Sequence, residues 1–431
     1  MIKQLTKSKF VRNVVLVATG TAGAQAINLA FSPIITRMYG PEAFGLLGTF
    51  MAVLGFVTPL AALAYPIAIV LPKSDDDAKG IAKLSFCIAL VMALVLTVVL
   101  LLGGEQIAAL LGMQAITSFM LLIPLAMLFS ALQQIMQQWL IRKKQFKVTA
   151  RIAVSQSLIL NSSKVGLGWF WPIGSVLIIL ATLGSALYTV QLWFGAKRWA
   201  DKDGRIDKLA EKNIDLKVLA YEHRDFPLYR TPQIWINAIS QSLPVLILAS
   251  FFGPVVAGFF SLGMSALSAP ALLIGSSVGN VFYPRIAEAV NRGEDHIQLL
   301  NKATVVTFMV GLLPFTFIML FGPYVFGLVF GAEWYIAGQY AQWMALWVLI
   351  SLAARPLIAT IPVIKMQGIF LIYELVFLGL KTLVLWVASY LYESALLAVA
   401  LYSLVTAISY LVLYVIVTVV SARAFKKSPS F

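Results

Sequence analysis

Apolar stretches of about twenty residues, separated by short polar loops, recur from one end of the 431-residue chain to the other. A helix of about 20 residues crosses a hydrocarbon core of ~30 Å, and the pattern predicts twelve such spans. The first six are Val14 to Ile35, Phe44 to Leu71, Leu84 to Leu102, Ala115 to Ile141, Ile152 to Phe170 and Pro172 to Gly195. The second six are Ile234 to Phe252, Val255 to Phe282, Ala303 to Leu320, Tyr340 to Val363, Ile369 to Leu391 and Ala395 to Val420. The fifth is the most polar, diluted by Ser155, Gln156, Ser157, Asn161 and Lys164, which suits a helix facing other helices or water. The expected fold class is an all-α polytopic membrane protein.

The two sets of six share a plan. Gly40-Pro41 after the first span is echoed by Gly253-Pro254 after the seventh, and Pro72-Lys73 and Pro284-Arg285 close the spans that follow, 31 and 30 residues on. Gly103 to Gly112 and Gly322 to Gly331 bracket apolar segments of equal length after the third and ninth spans. Six is an even number, so the halves repeat in parallel, related by an axis along the membrane normal, as in transporters whose site lies between repeats. Expected boundaries are residues 1–195 and 232–431 for two six-helix bundles, with 196–231 as a cytoplasmic linker. Within it, Ile206-Asp207-Lys208-Leu209 and Leu216-Lys217-Val218-Leu219 predict a surface helix on a solvated tether.

Composition and charge then fix the class and orientation. The chain is 60% hydrophobic and 12% charged, with a mean hydropathy of +0.90, where a soluble domain carries about 25% charged residues. With both termini cytoplasmic, 28 of the 32 Lys and Arg residues fall on the cytoplasmic side, a strong positive-inside bias. The pI near 9.7 therefore reflects topology and anionic lipid, and no nucleic-acid partner is implied. The basic start and apolar run to Ile35 read as an uncleaved helix. Cys87 is the single cysteine, and His223 and His296 lie in loops, so no disulfide, metal site or cofactor is expected.

Polar groups inside the spans are the candidate chemistry. Thr21, Gln25, Asn28 and Ser32 share one face of the first span; Asn237 and Gln241 lie four apart in the seventh, and the repeat aligns Asn28 with Gln241. Two readings are open: walls of a wet cavity, or hydrogen bonds between helices. Charges inside a span each cost roughly 2.5–3.5 kcal/mol on insertion scales. Arg355 and Glu374 lie at similar depths, roughly 12 and 9 Å in at 1.5 Å per residue, so they form a candidate ion pair, with ion coupling as Glu374's alternative role. Lys381, near the middle of the eleventh span, has no partner nameable from sequence, which favours an anionic ligand or a water-filled cavity. Prolines at 33, 59, 66, 124, 244, 270, 314 and 356 permit kinks.

Several segments are familiar. Pro33 to Gly45 (PIITRMYGPEAFG), Ala68 to Ala78 (AIVLPKSDDDA), Gln138 to Arg142 (QWLIR) and Arg224 to Tyr229 (RDFPLY) resemble the oligosaccharide-lipid flippases of bacterial polysaccharide and O-antigen assembly. These belong to the multidrug/oligosaccharidyl-lipid/polysaccharide exporter superfamily. The resemblance spans essentially the whole chain and implies two pseudo-symmetric six-helix bundles around a central cavity. One departure is Ala64-Tyr65-Pro66, where relatives often carry Arg-Tyr-Glu, so no role of those charges carries over.

The resemblance implies a non-enzymatic flippase of the bacterial inner membrane. Its substrate would be a polyprenyl-pyrophosphate-linked oligosaccharide, for lipopolysaccharide or other polysaccharide, with proton or sodium coupling and other assembly proteins as partners. Stripping even one sugar hydroxyl of water costs a few kcal/mol, a barrier that a polar cavity removes, while Lys381 or Arg37 meets the pyrophosphate. A multidrug exporter would have the same architecture, but cationic drugs prefer intramembrane acids. A membrane glycosyl polymerase or ligase needs a larger outer loop with catalytic groups. The charge bias predicts that, in a Cys87→Ser background, cysteines at Ser74, Asp203 or Ser428 resist an impermeant thiol reagent applied outside intact cells. Labelling without lysis reverses the topology.

Overall fold

Helix fills most of each stretch expected to enter the membrane, and no strand occurs among the described residues, 9–202, 215–292, 294–364 and 366–427 of the computed structural model. Residues 206–209, half of the expected linker helix, lie outside that set. The amino-terminal elements are α1 (Lys9–Val57), α2 (Tyr65–Ala68), α3 (Asp75–Leu110), α4 (Leu122–Arg142), α5 (Phe146–Gly168), α6 (Gly174–Lys202), α7 (Leu216–Glu222) and α8 (Thr231–Phe252). There follow α9 (Pro254–Asn291), α10 (His296–Phe330), α11 (Tyr335–Ala353), α12 (Arg355–Thr360), α13 (Gln367–Tyr392) and α14 (Ala395–Lys427).

Nine helices among the described residues are long and apolar enough to cross a membrane. The Gln- and Ser-containing α4 and α5 are not among them, in line with the polar dilution of the fifth stretch. Leu94, Val98 and Leu102 on α3, and Met309, Leu313 and Leu320 on α10, present bare apolar faces. Such faces are costly in water and at home in lipid, where the helix satisfies its own main chain.

The chain divides into two compact units, Met1–Ser250 and Phe251–Phe431. In the first, Phe50, Ile123, Met127 and Ile178 form the centre of a core; in the second, Ile286, Leu300, Leu357 and Leu413 do. Helix α8, with which the sequence repeat begins its second half, packs in the first unit. Its Trp235 indole donates to the Phe56 carbonyl at 3.0 Å, and Ser242 Oγ lies 3.0 Å from where a Cβ on Gly55 would stand.

The repeat is written into the backbone. Gly40 has φ 67°, ψ 175° and Gly253 φ 81°, ψ −179°, each followed by a proline that opens the next helical segment. Gly112 and Gly331, which end the third echo, are the other two glycines of positive φ among the described residues, at 64° and 117°. The paired glycines thus mark equivalent turns that side chains resist. Gly40→Ala and Gly253→Ala should each cost roughly 1–3 kcal/mol. Gly166→Ala, in open space on α5, should leave the unfolding midpoint in detergent unchanged.

Candidate functional site

Three helices of the second unit bring the intramembrane charges together. Lys381 and Glu374 lie two turns apart on α13, and Arg355 begins α12 immediately before Pro356, where the helix breaks. The Lys381 ammonium sits 5.4 Å from the centre of the Tyr410 ring on α14. Glu374 and Lys381 act electrostatically on one another, and the charges of both Arg355 and Glu374 reach the Tyr410 hydroxyl. Tyr373, beside Glu374, donates to the Ser409 carbonyl at 2.6 Å and fixes α13 against α14. The Arg355 stem crosses Gly275 of α9, whose missing side chain leaves room for it: a Cβ there would stand 3.3 Å from Nε.

Two sequence expectations change here. Among the ion pairs of the described residues none joins Arg355 to Glu374; equal depth on two helices does not set the lateral direction of either side chain. Lys381 does have a partner, the face of Tyr410, and a cation over a ring gains ~0.5–2 kcal/mol depending on desolvation. Sequence reasoning missed Tyr410 because an aromatic in an apolar span carries no distinguishing signal.

The amides of the first unit are not gathered at one point. Asn28 Oδ1 accepts from Ser157 Oγ and Asn161 Nδ2 of α5, both at 2.7 Å, so this amide ties α1 to α5. Gln25, a turn earlier, is half-buried. Gln241 donates to Asn237 Oδ1 at 2.6 Å along an exposed face of α8. Arg37 is exposed, two residues before Tyr39, whose hydroxyl donates to the Lys164 carbonyl at 2.7 Å.

The second span holds the irregular backbone. A 3₁₀ turn at Thr58–Leu60 is followed by Leu63 and Ala64, both left-handed with φ 47° and 57°, before the short α2. A left-handed side chain costs roughly 1–2 kcal/mol, so this break is held by its surroundings. Trp235 caps the Phe56 carbonyl, and Tyr65 donates to Ala220 of α7 at 3.0 Å. Arg142 at the end of α4 donates to the carbonyls of Ile69, Pro72 and Ser74 at 3.2, 2.6 and 3.0 Å and to Asp75 Oδ1 at 3.0 Å; Lys143 also binds Asp75. The two recognisable motifs at 68–78 and 138–142 are therefore halves of one clasp. Leu219 of α7 is buried with Ala68, Ile69 and Ile81, so this part of the linker is docked and not a free tether. Between the break, α4 and α8 lies a cavity of about 380 Å³.

The profile of a family described as polysaccharide biosynthesis protein matches residues 34–339. The chain belongs to that family. It is 24% identical over 348 residues to the succinoglycan biosynthesis transport protein ExoT of Rhizobium meliloti (strain 1021), a match covering 79% of this chain and 64%, less than two thirds, of that relative. Among solved structures it is similar to the lipid II flippase MurJ in an inward closed conformation, with TM-score 0.72, 14% identity and coverage of 95% and 90%. It is also similar to an inward-facing multidrug resistance MATE family transporter of the MOP superfamily, with TM-score 0.69, 14% identity and 96% of both chains covered. At such identities the likeness is one of fold. This member of the polysaccharide biosynthesis protein family is thus a multi-pass membrane protein with the fold of the MOP transporters.

The geometry about Tyr410 predicts coupling between ring and cation. In a double-mutant cycle of Lys381→Met and Tyr410→Leu, read by thermal unfolding in detergent, the interaction energy should be ~0.5–2 kcal/mol. Tyr410→Phe keeps the ring and should retain most of it.

Proposed function

We propose that this protein is a flippase for polyprenyl-pyrophosphate-linked oligosaccharides, moving them from the cytoplasmic to the outer leaflet of the bacterial inner membrane by alternating access. The observation that carries the reading is the cluster of two basic side chains and one acid, Lys381, Arg355 and Glu374, kept about Tyr410 inside the helices of the second unit. A charge within a span is expensive and is retained where it works. A net positive cluster answers an anionic pyrophosphate better than a cationic drug. The family supports a polysaccharide role, and a relative named for transport in succinoglycan biosynthesis supports an exported saccharide.

In this reading Lys381 draws the pyrophosphate, and Arg37, Gln25, Asn28, Asn237 and Gln241 line the route of the head. Glu374 is the candidate for proton or sodium coupling, because an acid beside a lysine has a charge state responsive to either ion. An inside-negative potential favours outward passage of an anionic head by roughly 2.3 kcal/mol per charge per 100 mV. Both termini are cytoplasmic, and the saccharides serve O-antigen, lipopolysaccharide or exopolysaccharide assembly alongside other assembly proteins.

Reconstitution tests the reading. Vesicles containing the protein and a fluorescent undecaprenyl-pyrophosphate oligosaccharide should expose the sugar of the inner leaflet to an impermeant glycosidase faster than protein-free vesicles. Lys381→Ala should slow exposure about tenfold, the equivalent of ~1.4 kcal/mol, and Lys381→Arg should fall between, since it keeps the charge with altered geometry. Equal exposure with and without protein rejects the flippase; efflux of a cationic dye by the same vesicles identifies an exporter instead.

A further inference from the structure

The break in the second span has no counterpart in the second half of the repeat. There the corresponding segment is the uninterrupted helix α9, which carries Pro270 and Pro284 without breaking. The cavity beside Leu63 and Ala64 is therefore a device of the first unit and not a by-product of the shared plan. Broken helices at membrane depth are tolerated where they line a cavity, and in transporters they form binding sites.

The lining has a definite chemistry. Thr58 Oγ1 donates to the Leu54 carbonyl at 2.6 Å and Ser130 Oγ to the Ala126 carbonyl at 2.8 Å. Both hydroxyl hydrogens are thus used, and each oxygen offers lone pairs to a donor from outside. Gln134 is half-buried, lines the same cavity and makes no hydrogen bond among the described residues, so its amide offers both an acceptor and donors. The remaining surface is apolar, from groups such as Ala62, Ala64 and Ile234, and none of the residues lining the cavity is ionisable. A site rich in acceptors, with apolar walls and no charge, suits hydroxyl donors on a ring with an apolar face and gives a pyrophosphate nothing to pair with. At about 380 Å³, it lies near the small end of the roughly 300–1,000 Å³ typical of small-molecule sites, room for one or two sugar rings.

We infer that the cavity between the broken second span, α4 and α8 is a binding site for an uncharged pyranose of the lipid-linked head, with Gln134, Thr58 and Ser130 as its polar contacts. The inference rests on the flippase reading and adds which part of the substrate this unit holds. Sequence carried a signal for it: Gln133-Gln134 and Gln137-Gln138 interrupt the mainly apolar fourth span.

The test uses the full-length protein in nanodiscs and two probes, undecaprenyl pyrophosphate bearing a neutral hexose disaccharide and bare undecaprenyl pyrophosphate. Gln134→Met, which keeps length and removes both hydrogen-bonding groups, should weaken binding of the glycosylated probe about tenfold, as expected for a lost buried hydrogen bond. The same substitution should leave the bare lipid unchanged. Thr58→Val, which is nearly isosteric, should weaken the glycosylated probe by a smaller factor and serves if Gln134→Met does not fold. Equal weakening of both probes, tighter binding of both, or no change in either variant overturns the site, because the cavity then holds tail or nothing. If the unaltered protein binds neither probe, the flippase reading fails and takes the site with it. Binding of both probes with no effect of the variants defeats the site alone.

Discussion

Every main-chain N–H and C=O inside a bilayer must find a partner within the protein, because hydrocarbon offers none. Most of this chain meets that demand by being helix. The second span does not, and much of the first unit is organised around the consequence. Proline at 59 removes a donor and Leu63 and Ala64 turn the backbone the wrong way; Trp235 of α8 and Arg142 of α4 donate to carbonyls on either side of the break, and Tyr65 fastens it to the docked linker helix by donating to the Ala220 carbonyl. Arg142 supplies several hydrogen bonds from one planar group, which a lysine cannot reproduce. Its side chain is only 10% exposed, so its charge depends on the Asp75 carboxylate and those carbonyls for compensation.

The same rule separates the chemistry of the two units. The second unit concentrates charge, with lysine over a tyrosine ring and arginine and glutamate within electrostatic reach of it, and the helix interruption that carries the arginine is a single residue, Ala354, beside Pro356. The first unit avoids charge at its cavity and presents hydroxyls, an amide and apolar walls. An amphipathic head made of a pyrophosphate and neutral sugars has both kinds of surface, and the proposed function assigns each to a different environment. Ser74 adds a local reason for the position of the clasp. It caps α3 by accepting from the Asp76 N–H at 3.1 Å, and the acids at 75, 76 and 77 lie in the first turn of that helix, where its dipole favours negative charge.

Much of this was legible in the chain. Runs of apolar residues specify helices in lipid because no other open structure satisfies the main chain, so element positions followed from hydropathy. The glycines at 40, 112, 253 and 331 were visible as repeat marks, and all four adopt the positive φ that only glycine takes without strain. Charges inside spans stand out in the sequence by their cost, and Lys381, Arg355 and Glu374 share one neighbourhood. Hydropathy fixes depth along a helix and leaves rotation and lateral neighbours open. Those came from packing, which turned Lys381 onto Tyr410, left Arg355 unpaired with Glu374, bound Asn28 to α5 and brought α8 into the first unit. Pro59 and Pro66 permit a kink in this span, but the left-handed turn at Leu63 and Ala64 was invisible, since neither residue type prefers a left-handed backbone and only contacts distant in sequence hold it there. Periodicity and cost thus determined which residues enter the membrane, and tertiary contacts alone decided which of them meet.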